Sequence, residues 1–309
     1  MNRRISVFAL LVPPLLLPAQ DIPEFDGTRA YGFLEAQCAL GPRNPGSPGH
    51  KKGREYIVDM ITPLADTVII QPFSHQDPYS GAMLQLTNVI GRFHPEMTER
   101  MWIAAHWDTR PWADRDPDRE NRNKPVPGAN DGASGVAVLL ELAHIFSNAP
   151  PPVGIDLVFL DGEDMGKEGD LDNFFNGSRY LARHIPPPIP SHAIVLDMVG
   201  DKELELPIEE NSWLQAPELV RELWSLAESL GLEPFESRIE YSVSDDHVVL
   251  FREGGIPAID IIDFNYPNRY TNTWHTLQDT PDKCSPESLA VVGTLLVHHV
   301  YGGKRKVER

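Results

Sequence analysis

Apolar and polar positions in this chain follow two periods, one typical of β-strands and one typical of α-helices. Apolar or alternating runs predict strands over residues 66–73, 83–93, 101–105, 153–160, 193–199 and 256–262. Apolar residues spaced by about 3.6 predict helices over residues 28–39, 47–61, 133–147, 177–184, 216–230, 245–253 and 286–301. Because strands alternate with helices, the pattern predicts an α/β fold with a mixed, mostly parallel central sheet flanked by helices.

The first twenty residues differ from the rest of the chain. Arg3 and Arg4 precede an apolar run from Ile5 to Leu17, and residues 18–20 offer a small-residue cleavage region. This order is typical of an export signal, and the run is short for a membrane span. We predict a signal peptide over residues 1–20, a periplasmic or extracellular location, and no stable membrane span. An uncleaved anchor is the alternative.

Residues 21–309 are expected to form a single domain. A chain of 309 residues fits one large α/β domain or two small ones. Its apolar share of 41% is enough for a full core, and the sequence contains no charge run, repeat or low-complexity stretch that would mark an internal boundary. The chain is therefore treated as one folded unit after the signal.

Charge and cysteine content narrow the possible functions. The formal net charge of −18 argues against nucleic acid as a partner, since binding phosphates requires clustered Lys and Arg. The acidity also suits a soluble protein without any further role. Cys38 and Cys284 are the two cysteines, and their spacing is not that of a thiolate metal site. A bound metal would thus use His and carboxylate ligands, and a disulfide between the two cysteines stays open.

Polar side chains that can carry chemistry follow the predicted strands. In open α/β sheets, ligands bind at the carboxyl ends of the strands. Carboxylates and imidazoles fall at five such places, which are His106 and Asp108, then Asp161, Glu163 and Asp164, then Asp197, then Asp245, Asp246 and His247, and finally His275. Singly, each could be a helix cap or a solvated side chain, as Asp131 before Gly132 could be. Together they would repel one another unless a cation lay among them.

Zinc is the cation that these ligand types favour. The adjacent pair Glu163 and Asp164 suits a divided role, because neighbouring residues in a loop can face different targets. One can ligate the metal while the other acts as a general base. The glycine-rich segment over residues 128–135 lies upstream and strengthens this interpretation.

Several segments resemble the zinc aminopeptidase superfamily, in the same order over almost the whole of the predicted domain. They are Gly41-Pro42-Arg43-Asn44-Pro45-Gly46-Ser47, Asn88-Val89-Ile90-Gly91, His106-Trp107-Asp108, Asn130-Asp131-Gly132-Ala133-Ser134-Gly135, Asp161-Gly162-Glu163-Asp164 and Trp274-His275-Thr276. The superfamily contains two chemistries. Aminopeptidases usually bind two zinc ions, whereas glutaminyl cyclases bind one and convert N-terminal Gln to pyroglutamate.

The resemblance implies roles for particular residues. Asp131, Asp164 and His275 would be the zinc ligands, and Glu163 would be the general base and acid. His106 and Asp197 match the additional ligands of the two-zinc enzymes. In glutaminyl cyclases, the position of Asp197 is a catalytic carboxylate.

Other residues tilt the resemblance toward bacterial glutaminyl cyclases. Asp245 supplies an extra acid where aminopeptidases tend to have Ser, and Trp274 before His275 would form an aromatic wall for substrate. The loop after His106 also resembles the cyclases. Two features depart from the common pattern: Asp164 stands where Glu is usual, and residues 165–175 contain no Trp. Candidates for the second wall are Trp107, Phe174 and Phe175, and a place in the core is the alternative for each of them.

The expected function is that of a glutaminyl-peptide cyclotransferase with one Zn²⁺. Its substrates would be peptides or proteins with an N-terminal Gln, and we expect a monomer. The first alternative is a two-zinc aminopeptidase. The second is a secreted binding domain without activity, which is disfavoured because every ligand and base position holds a competent residue.

Overall fold

A computed structural model describes residues 22–302. The strands are β1 Thr67–Gln76, β2 Met83–Phe93, β3 Arg100–His106, β4 Gly154–Leu160, β5 Ala193–Asp197, β6 Leu206–Ile208, β7 Phe235–Ile239, β8 Ala258–Ile262, β9 Pro267–Asn268 and β10 Thr271–Asn272. The helices are α1 Gly27–Ala39, α2 Pro48–Ile61, α3 Ala133–Asn148, α4 Asn176–Arg183, α5 Glu210–Gln215, α6 Pro217–Leu230, α7 Asp246–Gly254 and α8 Pro286–Tyr301.

The central sheet has six strands in the order β1-β2-β4-β3-β5-β8. Strand β3 runs parallel to β4 and β5, and β5 runs parallel to β8, whereas β2 is antiparallel to both β1 and β4. The mixed, mostly parallel sheet predicted from the sequence is therefore confirmed. The carboxyl ends of β3, β4, β5 and β8 meet along one edge, which we call the carboxyl edge.

Position in the sheet matches the sequence of each strand. All seven residues of β3 and of β4 are buried, as apolar central strands require. Strand β1 alternates between exposed and half-buried positions and contains Pro72, which is tolerated because β1 lies at the sheet margin.

Helices cover both faces of the sheet. Helices α1, α3, α6 and α8 contribute to the larger apolar core on one face. Helices α4 and α7 pack together on the other face, where Leu181 and Leu250 join a smaller core. Ser47 caps α2 by accepting a hydrogen bond from the His50 amide, with Pro48 in the first turn. The sheet is thereby held as a rigid support for its carboxyl edge.

Some boundaries differ from those predicted. The strand expected over residues 193–199 ends at Asp197, because Met198 adopts a left-handed φ of 48° and turns the chain. The side chain of Asp245 caps α7, and the helix itself begins at Asp246. The short elements β6, α5 and β7 were not predicted, since three to six residues are too few to display a period.

The predicted export signal over residues 1–20 lies outside the described residues and stays a prediction. Among residues 22–302, no helix combines the length and apolar character needed to cross a membrane. Cys38 and Cys284 are both free thiols, the former half-buried and the latter buried.

Candidate active site at the carboxyl edge

The carboxyl edge gathers the side chains that the sequence singled out. His106 ends β3, Glu163 and Asp164 follow β4, and Asp197 ends β5. Asp131 precedes α3, Asp245 caps α7, and His275 lies in the loop after β10. Six segments that are far apart in sequence thus supply one cluster of acids and imidazoles.

Asp131, Asp164 and His275 form a buried group of three donors. Their ligand atoms lie within 4.8 Å of one another. His275 Nε2 is 3.6 Å from Asp131 Oδ2 and 3.4 Å from Asp164 Oδ1. The structure therefore brings together the three residues predicted as metal ligands.

A second group shares Asp131 with the first. His106 Nε2 lies 3.2 Å from Asp131 Oδ1 and 3.2 Å from Asp197 Oδ1, and these three residues also place donor atoms within 4.8 Å of one another. The positions predicted for a second metal are thus adjacent to the first group, and the geometry alone accommodates either one ion or two.

Backbone conformation at this edge is unusual. His275 has a φ of 58°, a left-handed conformation that costs a non-glycine residue about 1–3 kcal/mol. Gly132 has a φ of 101°, and a Cβ there would lie 2.4 Å from the carbonyl oxygen of Asp108. A side chain at position 132 would therefore displace either Asp131 or the turn after β3, which explains the glycine beside a proposed ligand.

Two buried carboxylates hold the loops that carry the candidate metal ligands Asp131 and Asp164. Asp108 accepts hydrogen bonds from the amides of Gly162, Glu163 and Asp164 at 2.8–3.3 Å. Asp279 accepts from the amide of Asp131 at 3.2 Å and from that of the preceding residue at 2.8 Å. The positions of Asp131 and Asp164 are thus set by hydrogen bonds to their main-chain amides as well as by their side chains.

Two acids at this edge, Glu163 and Asp245, are electrostatically disfavoured in their ionised form. Burial, together with the charge of Asp164, raises the pKa of Glu163 well above its usual range. Burial and the charge of Asp197 raise the pKa of Asp245 as well. A carboxyl with a raised pKa is a stronger base than an ordinary carboxylate, which suits a general base that later acts as an acid.

A cleft of about 320 Å³ opens above these groups. Its floor includes Asp131, Glu163, Asp164, Asp197, Asp245 and His275, and its apolar walls include Leu171, Phe174, Phe175, Tyr241, Val243, Phe264 and Trp274. The indole of Trp274 stacks on the ring of His275 at a centroid distance of 3.6 Å. An apolar wall therefore stands directly beside the donor group.

Trp107, the other predicted substrate contact, is placed elsewhere. It is completely buried, stacks on His50 at 4.5 Å and donates its indole N–H to the carbonyl of Thr87 at 3.3 Å. It does not line the cleft. Successive side chains along extended backbone point in opposite directions, so His106 faces the cleft and Trp107 faces the core. Phe174 and Phe175, the other candidates for the second wall, do line the cleft.

Arg110 and Asp114 belong to the site although they were not among the predicted site residues. The Arg110 guanidinium lies 2.7 Å from Asp164 Oδ1 and grips Asp114 with two hydrogen bonds, at 2.8 and 2.6 Å. Asp114 Oδ1 also lies 3.6 Å from His275 Nδ1. The only available sequence signal was their place in the loop after His106.

The donor group fits a zinc ion. Two carboxylates and one imidazole are ordinary zinc ligands, and an ion among them would relieve the repulsion between the acids. Asp164 Oδ2 is buried without a hydrogen-bond partner, a costly state for a carboxylate oxygen that bound metal would end.

The fold is similar to that of zinc-dependent exopeptidases. A Zn-dependent exopeptidase from Parabacteroides distasonis superimposes with a TM-score of 0.87 at 32% identity, covering 92% of this chain and 100% of that one. Residues 88–300 match Peptidase family M28, and the chain belongs to this family.

Two relatives bear the name that the motifs suggested. Glutaminyl cyclase from Bacteroides thetaiotaomicron, solved with N-acetylhistamine, has a TM-score of 0.87 and 34% identity, with coverage of 92% of this chain and 100% of that one. Bovine glutaminyl-peptide cyclotransferase is 26% identical over 277 residues, which span 78% of this chain and 72% of the relative. The resemblance inferred from the sequence is therefore confirmed.

Proposed function

We propose that this chain is a zinc-dependent glutaminyl-peptide cyclotransferase, which converts the N-terminal Gln of a peptide or protein to pyroglutamate and releases ammonia. The observation that carries the proposal is the cleft floor itself. There the half-buried acid Glu163 adjoins the proposed metal ligands Asp131, Asp164 and His275, with Asp245 and the wall of Trp274 in the same cleft. The similarity to glutaminyl cyclases supports it further.

In this proposal Asp131, Asp164 and His275 hold one zinc ion. Bound there, the ion supplies Lewis acidity toward the γ-carbonyl group of the substrate Gln. The remaining work falls to side chains of the protein.

Glu163 is the proposed general base and acid. It accepts a proton from the substrate α-amine, whose nitrogen attacks the γ-carbonyl carbon. It then gives that proton to the departing amide nitrogen, so one C–N bond forms, one C–N bond breaks and ammonia leaves. The raised pKa of Glu163 makes its carboxylate a stronger base, which favours the first half of this cycle.

The other cleft residues position the substrate. Asp197 and Asp245 offer negative charge and hydrogen-bond acceptors to the amine and the leaving group. Trp274 packs on the Gln side chain and excludes water, which would otherwise hydrolyse the amide. Because the attack is intramolecular, folding Gln into the ring-closing shape supplies much of the acceleration.

A two-zinc aminopeptidase is the second candidate, and one observation favours it. His106 and Asp197 share Asp131 with the first donor group and could hold another ion. Counting zinc atoms per purified chain separates the two candidates: one supports the cyclase and two support the aminopeptidase.

The direct test uses dipeptides that begin with Gln. We expect equal amounts of ammonia and of the pyroglutamyl product, detected by a coupled assay and by mass spectrometry. The control is the same peptide with an acetylated N-terminus, which lacks the nucleophile and should not react. Release of free amino acids without pyroglutamate would overturn the proposal and support the aminopeptidase.

We also propose that the protein is exported and monomeric. The signal-like composition of residues 1–20 supports export. N-terminal sequencing of secreted material, with sedimentation analysis of the same sample, tests both points. A mature chain beginning at Met1 or a stable oligomer would contradict them.

A further inference from the structure

Arg110 presents a cation to a proposed metal ligand, which is an unusual arrangement. Its side chain is 1% exposed, and its 2.7 Å hydrogen bond to Asp164 Oδ1 is itself buried. The opposite side of the guanidinium is held by both oxygens of Asp114. Carboxylate and guanidinium match as two planar forks, so this pairing fixes the direction in which Arg110 points.

The four side chains close into a ring. Asp114 holds Arg110, Arg110 holds Asp164, Asp164 lies 3.4 Å from His275 Nε2, and His275 Nδ1 lies 3.6 Å from Asp114. Two of the three proposed zinc ligands are therefore members of this ring. Asp131 stands outside it and is fixed through its own amide by Asp279.

The ring also reaches the wall of the cleft. The Arg110 guanidinium lies 5.4 Å from the centre of the Phe174 ring and 6.0 Å from that of Trp112, distances at which a cation is attracted to an aromatic face. One buried cation thus contacts a proposed metal ligand and a wall that the substrate side chain would touch.

Asp164 has a particular need for such support. Its carboxylate is one methylene shorter than that of Glu, so its reach to a metal depends on where the loop and the side chain are held. Asp108 fixes the loop through the amides of residues 162–164. Arg110 is the side chain that fixes the carboxylate itself.

We propose that Arg110 and Asp114 are positioning residues that act as one unit, holding Asp164 and His275 in the geometry that binds zinc. This inference rests on the proposed zinc site. Neither residue is assigned a chemical step. Their removal is expected to weaken zinc binding by roughly 10–100-fold, the range seen when outer partners of metal ligands are lost.

The test measures zinc affinity, independently of turnover, in Arg110→Lys, Asp114→Asn and the double variant. Lysine keeps the charge of Arg110 but cannot grip Asp114 and reach Asp164 together. Asparagine keeps the shape of Asp114 but loses its charge. Each chain is stripped of metal and titrated with zinc against a chromophoric chelator. The visible spectrum of the Co²⁺-loaded protein then reports the ligand geometry.

We expect both single variants to bind zinc more weakly and to shift the Co²⁺ spectrum. The double variant should be little weaker than either single one, because members of one unit are not additive. Wild-type zinc affinity in Arg110→Lys, or additive losses in the double variant, would overturn the inference.

Arg92→Lys is the matched control. Arg92 is also a buried arginine that grips an aspartate with two hydrogen bonds, here Asp156, far from the donor group. It should lower the unfolding temperature without changing zinc affinity, which separates positioning from general destabilisation.

Asp131→Asn and His275→Gln separate this inference from the zinc site on which it rests. If these two variants retain zinc affinity, the proposed zinc site is wrong. If they lose it while Arg110→Lys retains it, only the positioning role fails.

Discussion

Carboxylates near the two ends of strand β4 differ in how fully they are paired with cations. Asp156, near the start of the strand, is completely buried and fully paired. It accepts two hydrogen bonds from Arg92 at 2.9 Å, one from Arg100 at 2.8 Å and one from the Trp102 indole at 3.0 Å. Two guanidinium groups face this single carboxylate, so its charge is more than compensated.

At the far end of the same strand, carboxylates outnumber the cations that pair with them. Glu163 and Asp164 face Asp131, Asp197 and Asp245 in one cleft. Among residues 22–302, Arg110 is the guanidinium that pairs with these acids, and it is shared with Asp114. The imidazoles of His106 and His275 also lie against them. A carboxylate that serves stability is surrounded by donors, whereas a group of carboxylates short of donors is poised to bind a cation or move a proton. The following predictions test this contrast.

The largest expected effect is on turnover, at the end of β4 that is followed by Glu163 and Asp164. Glu163→Gln keeps the shape of the side chain but cannot accept a proton, so cyclisation of Gln peptides should fall by about 10²–10⁴-fold. Zinc content and the unfolding temperature should stay close to those of the wild type, because the substitution removes a carboxyl that burial already disfavours in its charged form.

Glu168→Gln is the matched control for that experiment. Glu168 lies at the mouth of the same cleft, but its side chain is 72% exposed. It should retain most of the turnover in an assay with uncharged dipeptide amides. Full activity in Glu163→Gln would show that another group serves as the base.

At the paired end, the expected effect is on stability. Asp156→Asn leaves Arg92 and Arg100 buried without a counter-charge, which should lower the free energy of unfolding by about 3–5 kcal/mol. Urea unfolding measures this, and zinc affinity of the folded fraction should not change. A loss below about 1 kcal/mol, as for a surface pair, would mean that the pairing at this end is not what stabilises the strand.

Removing the metal should leave the acids beside Glu163 and Asp164 without a compensating cation. At zinc concentrations about 100 times the dissociation constant, bound zinc stabilises the folded state by about 2.7 kcal/mol, and a chelator should remove that stabilisation. Thermal unfolding with and without chelator measures the difference. A shift that is absent at all pH values would contradict a zinc site in this cleft.

The metal-free protein should also respond to pH. Burial and the charge of Asp131 raise the pKa of Asp279 to about 7. A carboxyl whose pKa is raised in the folded state contributes stability that is complete below its unfolded pKa, near 4. That contribution is lost as the pH rises through the folded pKa of about 7. The metal-free protein should therefore lose stability as the pH rises from about 4 to about 7. Bound zinc should flatten this dependence, because it compensates the charge of Asp131.

The sequence predicted most of the sheet, and it singled out the acids and imidazoles that the structure brings together at the carboxyl edge. Strands such as β3 and β4 are apolar throughout, and a buried central strand has that pattern for a direct physical reason. The rule that ligands bind at carboxyl ends then placed His106, Glu163 and Asp197 together. The resemblance to the zinc aminopeptidase superfamily supplied their expected roles.

What could not be predicted depends on contacts between distant parts of the chain. Asp279 holds the amide of Asp131 across 148 residues, and Arg110 holds Asp164 across 54. Neither pairing leaves a local period or a motif. Trp107 illustrates the opposite error. It was a candidate for the second wall because residues 165–175 contain no Trp, whereas the alternation of side chains along extended backbone directs it to the core.

The smallest expected effect concerns an ion pair of the same chemistry without burial. Arg115 donates to Glu168 at 2.8 Å at the mouth of the cleft, with side chains 48% and 72% exposed. Water solvates both charges when the pair is broken, so Glu168→Gln should change the free energy of unfolding by less than about 1 kcal/mol. Urea unfolding of this variant and of Asp156→Asn compares the free energies that the two ion pairs contribute. A comparable loss in both would show that pairing itself, and not the burial of the paired groups, sets the contrast between the two ends of β4.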